Sequence, residues 1–232
     1  MAERRSWLAM VGLLVVAWPG SAALGLVPPP AEFKWEPEIR KFEEADRVSP
    51  PPKGAVLFVG SSSFRLWKTL AEDFAGIPVI NRGFGGSEME YVVRYADRII
   101  LPYEPRVVLV YAGDNDIAKG KEPERVLGEY RALVGKIREK MPDVPIGYVS
   151  VKASIKRWPL ADKIRALNAA IAAYSAGEKG LFFVDVFAPM LGADGMPRKE
   201  LFVADGLHLT HEGYLLWASL IRPHIEAAVT VR

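Results

Sequence analysis

Short apolar runs alternate with stretches of helical periodicity along the chain, and this alternation predicts the architecture. Residues 56–59, Val-Leu-Phe-Val, follow Pro50-Pro51-Pro52, Gly54 and Ala55 and read as a strand buried on both faces. A helix is expected over residues 64–74 and a short strand over 78–80. Ser87 and Glu90 have the spacing of a capping box, which starts a helix running to about residue 100. Residues 106–111 form an apolar strand of the type enclosed by helices on both sides. The helix after Pro123 places Val126, Tyr130, Leu133, Val134, Ile137 and Met141 on one face. Residues 146–150 are a fourth strand, and a helix over 160–175 turns Ile164, Leu167, Ile171 and Tyr174 inward. Residues 181–186 are the fifth strand. After a long loop, Thr210 caps a last helix that buries Tyr214, Ala218, Ile221 and Ile225. Repeated strand–helix alternation implies a parallel sheet covered on both faces. The expected fold is a three-layer α/β/α sandwich with about five parallel strands in a flavodoxin-like order.

The amino terminus follows a different pattern. Arg4-Arg5, the apolar residues 7–16 and the small-residue stretch 17–23 have the layout of a secretory signal peptide. Ser21 and Ala23 suit the small positions before a cleavage point near residue 23. The alternative is an uncleaved anchor, but the run is short for a membrane span and Pro19-Gly20 would break it. Export to the periplasm or the extracellular space follows, with no stable membrane insertion once the signal is removed. A proline-containing tail leads into a charged segment, residues 37–46, with Ile39 and Phe42 on one side, which reads as a surface helix against the domain.

Composition narrows the classes of function. Of 232 residues, half are hydrophobic, enough for one sizeable core. The formal charge is +2 with no basic stripe, so nucleic acid is not an implied partner. The absence of cysteine excludes disulfides, a thiol nucleophile and thiolate metal sites.

Four polar features fall after strands or before the last helix, where an open α/β sheet places its ligands. Gly60-Ser61-Ser62-Ser63 follows the first strand, and Gly83, Gly85 and Gly86 follow the second. Gly113-Asp114-Asn115-Asp116 follows the third, and Asp205-Gly206-Leu207-His208 precedes the last helix. Acyl transfer needs a nucleophile, a base to take its proton and donors for the oxyanion. A serine, His208 as base and Asp205 three residues before it meet the first two needs. The donors could be the backbone N–H groups of Ser62 and a glycine, together with the Asn115 amide. Each motif alone also fits an ordinary turn or cap, but their joint order favours a site.

In that order the four motifs resemble the SGNH or GDSL-type serine esterases and acylhydrolases, similar to the branch with platelet-activating-factor acetylhydrolase subunits and bacterial carbohydrate esterases. The resemblance runs from about residue 55 to the last helix. It implies Ser62, two residues after Gly60, as nucleophile, and Gly86, five residues after Asn81, as an oxyanion donor. Asn115 of the Gly-x-Asn-Asp block is the implied second donor, beside the Ser62 N–H, and Asp205 and His208 are the implied triad partners. It implies no metal and no organic cofactor. The expected organisation is therefore a signal peptide over 1–23, a tail and short helix over 24–53, and a catalytic domain over 54–232. One departure is plain: the usual Gly-Asp-Ser is Gly-Ser-Ser here, with Ser61 in the aspartate's place.

Specificity is less legible. Phe84, Arg65, Trp67 and the loop over residues 152–158 after the fourth strand are candidates for the pocket rim. Phe84 and Trp158 are expected to bind substrate, Trp158 either stacking on a sugar ring or covering the core edge. Arg157 and Lys156 could meet an anionic group, though a solvated loop is favoured, and His211 and His224 read as a cleft-lining and a structural residue. A small-molecule or polysaccharide ester is the expected substrate, a short acyl group on a sugar being favoured. A lysophospholipase, a thioesterase or a non-catalytic carbohydrate-binding relative are the alternatives.

Overall fold

The computed structural model describes residues 34–230. The expected signal peptide lies outside the described residues. Helix α1 (Glu36–Val48) precedes five strands, β1 (Val56–Gly60), β2 (Val79–Gly83), β3 (Val107–Tyr111), β4 (Ile146–Val149) and β5 (Leu181–Val184). All pair in parallel, in the order β2-β1-β3-β4-β5. This is the flavodoxin-like order, in a three-layer α/β/α sandwich.

Every residue of β1 and β3 is buried, as continuous apolar runs require. Helices α4 (Met89–Ile99), α6 (Pro123–Lys140) and α7 (Ala161–Ala176) pack against one another in sequence, and α1 lies against α4. The short helices α2 (Ser62–Arg65) and α3 (Leu70–Asp73) and the long α8 (His211–Thr230) complete the set with α5 (Asp114–Ala118). Phe58 packs on Phe64, Trp67 and Phe74, and Trp67 stacks on Tyr214 at 4.9 Å. That aromatic cluster joins β1 to α2, α3 and α8.

Three elements differ from the sequence pattern, each for a tertiary reason. The helix expected over 64–74 is two short helices. Trp67 turns into the core between them, its Nε1 donating to Asp73 Oδ2 at 2.6 Å, and the Thr69 hydroxyl donates to the same oxygen. The capping box at Ser87 and Glu90 does not form. Helix α4 starts one residue later, and its Met89 N–H is received at 3.1 Å by both carboxylate oxygens of buried Asp116, from the loop after β3. A distant side chain thus replaces the local cap. Strand β5 stops at Val184 because the N–H groups of Val186 and Phe187 turn to Ser150 Oγ, at 2.9 and 3.1 Å.

Gly60 is the tightest point of the sheet. Its φ is +138°, and a Cβ there would stand 1.9 Å from the Tyr111 carbonyl oxygen. No L-residue fits without moving β1 off β3. Gly60→Ala should therefore lower stability by about 3 kcal/mol or more. Urea denaturation of the variant beside the parent measures it, and a loss within about 0.5 kcal/mol would contradict the close contact.

Candidate active site

Strands β1, β2 and β3 release the chain along one edge of the sheet. Gly60 pairs with Gly83 on one side and with Tyr111 on the other, so the three strands end in one row. Just beyond it come Ser62 at the start of α2, Gly86 in the loop after β2, and Asn115 in α5. The Ser61 N–H donates to Tyr111 O at 2.9 Å, which ties the turn to β3 before the helix begins.

Of the three adjacent serines, Ser62 is the one hydrogen-bonded to the histidine. Ser61 and Ser63 are buried, and Ser63 Oγ accepts from Lys152 Nζ at 3.2 Å. Ser62 is half-buried, with Oγ 3.0 Å from His208 Nε2. His208 Nδ1 lies 2.6 Å from Asp205 Oδ2. The other carboxylate oxygen, Asp205 Oδ1, accepts the N–H groups of Leu207 and His208 at 2.8 and 2.9 Å. Desolvation opposes the charge on Asp205, but the two backbone N–H groups and the imidazole outweigh it and hold the carboxyl down to about 2. The Asp205–His208 loop is fixed from outside by Val203 N–H to His208 O and by Lys156 N–H to Gly206 O, each at 2.9 Å. With Asp205 ionised, Nδ1 keeps its proton and Nε2 faces Ser62 Oγ as an acceptor.

The candidate donors come from three segments, the start of α2, the loop after β2 and α5. Neither the Ser62 N–H nor the Gly86 N–H has an acceptor among the described residues. Gly86 has φ +73°, and nothing lies within 4 Å of where its Cβ would be, so the backbone there is open to an approaching oxygen. Asn115 Nδ2 donates to Ser87 O at 2.9 Å and to Ser61 Oγ at 3.2 Å. Its Oδ1 accepts from Arg157 Nη2 at 2.9 Å. A guanidinium can only donate, so this contact settles which end of the amide faces the site. Ser61 thus stands where the usual aspartate would be and receives the Asn115 amide as a neutral acceptor.

Arg157 is not the solvated loop residue that the sequence suggested. It also pairs with Asp114, which is buried and bonded to Lys152 Nζ at 2.8 Å. Lys152 is itself buried and reaches Tyr111 Oη at 3.0 Å. Burial opposes charge on Asp114, yet the two cations hold its carboxyl below the usual range. Sequence reading missed this cluster. The available signal was Lys152 lying between Val151 and Ala153, directly after an apolar strand.

The remaining candidates separate. Phe84, expected to bind substrate, is fully buried, with its ring against Trp35 and Tyr95, and Trp67 is buried against Tyr214. Neither reaches a pocket rim. Apolar flanks and aromatic neighbours drew both into the core, which a motif-centred reading does not anticipate. Trp158 is half-buried, stacked on Phe187 with the Arg165 guanidinium over both rings. Arg65 is exposed beside Gly85. His211 is exposed near Thr69, and His224 stacks on Phe182. Among the described residues no group of three or more His, Asp or Glu is placed to hold a metal ion, and no helix is long and apolar enough to cross a membrane.

The model of the GDSL-like lipase/acylhydrolase family matches residues 54–216. The chain belongs to this family. As a GDSL-like acylhydrolase it is a serine hydrolase, and solved structures share its fold. A platelet activating factor candidate from Streptococcus pneumoniae has 21% identity and a TM-score of 0.74, covering 83% of this chain and 93% of its own. A GDSL-like lipase from Bacteroides thetaiotaomicron has 24% identity and a TM-score of 0.72, covering 82% and 98%. A family 3 carbohydrate esterase from Clostridium thermocellum has 17% identity and a TM-score of 0.61, covering 77% and 98%. No curated protein matches the chain.

The depressed Asp205 carboxyl carries a pH signature. Because its folded value lies below the ordinary 3.8, the unfolded chain binds the proton more readily. The stabilisation is therefore present above about 4 and is lost as pH falls through about 2. Asp205→Asn should flatten the fall in stability between those values, read from denaturant midpoints across the acid range. An unchanged acid limb would mean that Asp205 carries no such bond.

Proposed function

We propose that this GDSL-like hydrolase cleaves short-chain carboxylic esters through an acyl-enzyme on Ser62, and that an ester of an acetylated sugar is its favoured substrate class. The observation that carries the reading is the hydrogen-bonded line from Ser62 through His208 to Asp205. The Ser62 and Gly86 N–H groups, without acceptors among the described residues, and the Asn115 amide beside Ser61 are the donors it would use.

The geometry supports the following course. His208 Nε2 takes the hydroxyl proton as Ser62 Oγ bonds to the ester carbonyl carbon. The carbonyl oxygen becomes an oxyanion facing the three donors. Asn115 can turn its Nδ2–H from Ser61 Oγ to that oxygen while keeping its bond to Ser87 O. The two backbone donors, held by the fold, stabilise the developing charge without reorganising at the moment of reaction. The imidazolium, stabilised by Asp205, gives its proton to the leaving alkoxide as the carbon–oxygen bond breaks. Water then enters, His208 takes its proton, and the second collapse releases the acid and restores Ser62.

The sugar-ester reading draws support from the likeness to a family 3 carbohydrate esterase and from the signal-like residues 1–23, which would export the enzyme to extracellular polymers. The likeness to a GDSL-like lipase favours a second reading, hydrolysis of a lysophospholipid. A thioesterase fits export less well, and a purely binding role gives no reason for an aligned serine, imidazole and carboxylate.

The test is hydrolysis of p-nitrophenyl acetate and butyrate by the protein from about residue 24 onward, beside Ser62→Ala. The parent should turn over both, and the variant should lose on the order of a millionfold in turnover. Acetylated xylose should then be preferred to lysophosphatidylcholine. Activity that survives in Ser62→Ala would assign the nucleophile elsewhere, and preference for the lipid would replace the sugar-ester reading.

A further inference from the structure

Helix α1 and the residue before it lie outside residues 54–216, yet they hold the backbone beside the serine. Trp35 is buried, and its indole Nε1 donates to Gly85 O at 2.8 Å. One turn on, Glu38 Oε2 accepts the Gly85 N–H at 3.2 Å. The Trp35 ring is packed at 4.1 Å on Tyr91 and at 6.2 Å, edge to face, on Phe84, so the donor cannot swing away.

The Gly85 carbonyl and the Gly86 N–H belong to one planar trans peptide and point in opposite directions. Fixing one fixes the other. Glycines flank this peptide on both sides, Gly86 has positive φ, and no atom lies within 4 Å of a Gly86 Cβ position. Rotation of the peptide plane between two glycines meets little steric resistance. An outside hydrogen bond must choose its orientation, and Trp35 supplies one.

We infer that Trp35 is a positioning residue that holds the Gly85–Gly86 peptide so that the Gly86 N–H faces the ester oxygen over Ser62, while Glu38 fixes the preceding Phe84–Gly85 peptide through the Gly85 N–H. The inference rests on the esterase reading above. It makes the amino-terminal segment part of the oxyanion-stabilising machinery of this chain rather than a cover for its surface. The donor matters most when charge has developed on the oxygen, so its loss falls on turnover more than on substrate binding.

Trp35→Phe keeps an aromatic ring against Phe84 and Tyr91 and removes the indole N–H together with the pyrrole part of the ring. It should lower kcat on p-nitrophenyl acetate by about 10- to 100-fold, with KM within about threefold of the parent. The orientation of the peptide can be read without turnover from the Gly86 amide resonance in a ¹⁵N-labelled sample. That resonance should shift and broaden in Trp35→Phe, as the peptide samples both orientations. Trp35→His, which keeps an aromatic ring and a ring N–H, should recover part of the lost kcat relative to Trp35→Phe. Glu38→Ala, which loosens only the preceding peptide, should show a smaller, several-fold fall in kcat and serves if Trp35→Phe does not fold. A parent-like kcat with an unmoved Gly86 resonance in the folded variants would overturn the inference. A raised KM at parent kcat would also overturn it, because Trp35 would then act on substrate binding. If the parent hydrolyses no ester while the Gly86 resonance still responds to Trp35→Phe, the esterase reading fails and the positioning of the peptide stands.

Discussion

The contact of Gly60 with the Tyr111 backbone, in the middle of a parallel sheet, governs the rest of the molecule. It lets β1 lie close enough to β3 for both to be buried on two faces, and it turns the chain out at the edge where the strands end. Because β1 pairs with β2 on one side and β3 on the other, the chain's path across the sheet reverses there. Such a reversal opens a crevice at the carboxyl ends of the strands. Ser62, Gly86 and Asn115 lie two, three and four residues beyond a single row of paired residues, Gly60, Gly83 and Tyr111. The separation between Ser62 and the proposed donors is thus set by strand register, which is more rigid than any loop. His208 and Asp205 come from the far end of the chain and are held to that crevice by bonds to Val203 and Lys156.

A second layer keeps the donors aimed. Lys152, Asp114 and Arg157 form a run of charges with little access to solvent, and such a run is stable only when each charge is paired. Its geometric product is the fixed orientation of the Asn115 amide. On the other side of the serine, Trp35 and Glu38 bond to the two polar groups of Gly85. Neither device reaches the reacting atoms. Both act on groups proposed to do so, and both come from segments without a recognisable motif.

The layers and strand order were legible because buried parallel strands must be apolar throughout, and their runs stand out against amphipathic helices. The aligned Ser62, His208 and Asp205 were legible because Asp205 and His208 are close in sequence and Ser62 has a fixed offset from Gly60. What was hidden depended on partners distant in the chain. Asp116 caps α4 in place of Ser87, Trp67 breaks a helix by turning inward to Asp73, and Phe84 is drawn into the core by Trp35 and Tyr95. Arg157 looked solvated because its partners, Asp114 and Asn115, lie more than forty positions away. No local pattern encodes such pairings.

Mapping the adduct of a fluorophosphonate tests the central claim most directly, because only an activated serine oxygen attacks its phosphorus and expels fluoride, leaving the phosphonyl oxygen in the oxyanion position. Peptide mass spectrometry of the labelled protein should place one adduct on Ser62, and His208→Ala should abolish it. An adduct on Ser61 or Ser63, or equal labelling with and without His208, would contradict the activation of Ser62 by His208.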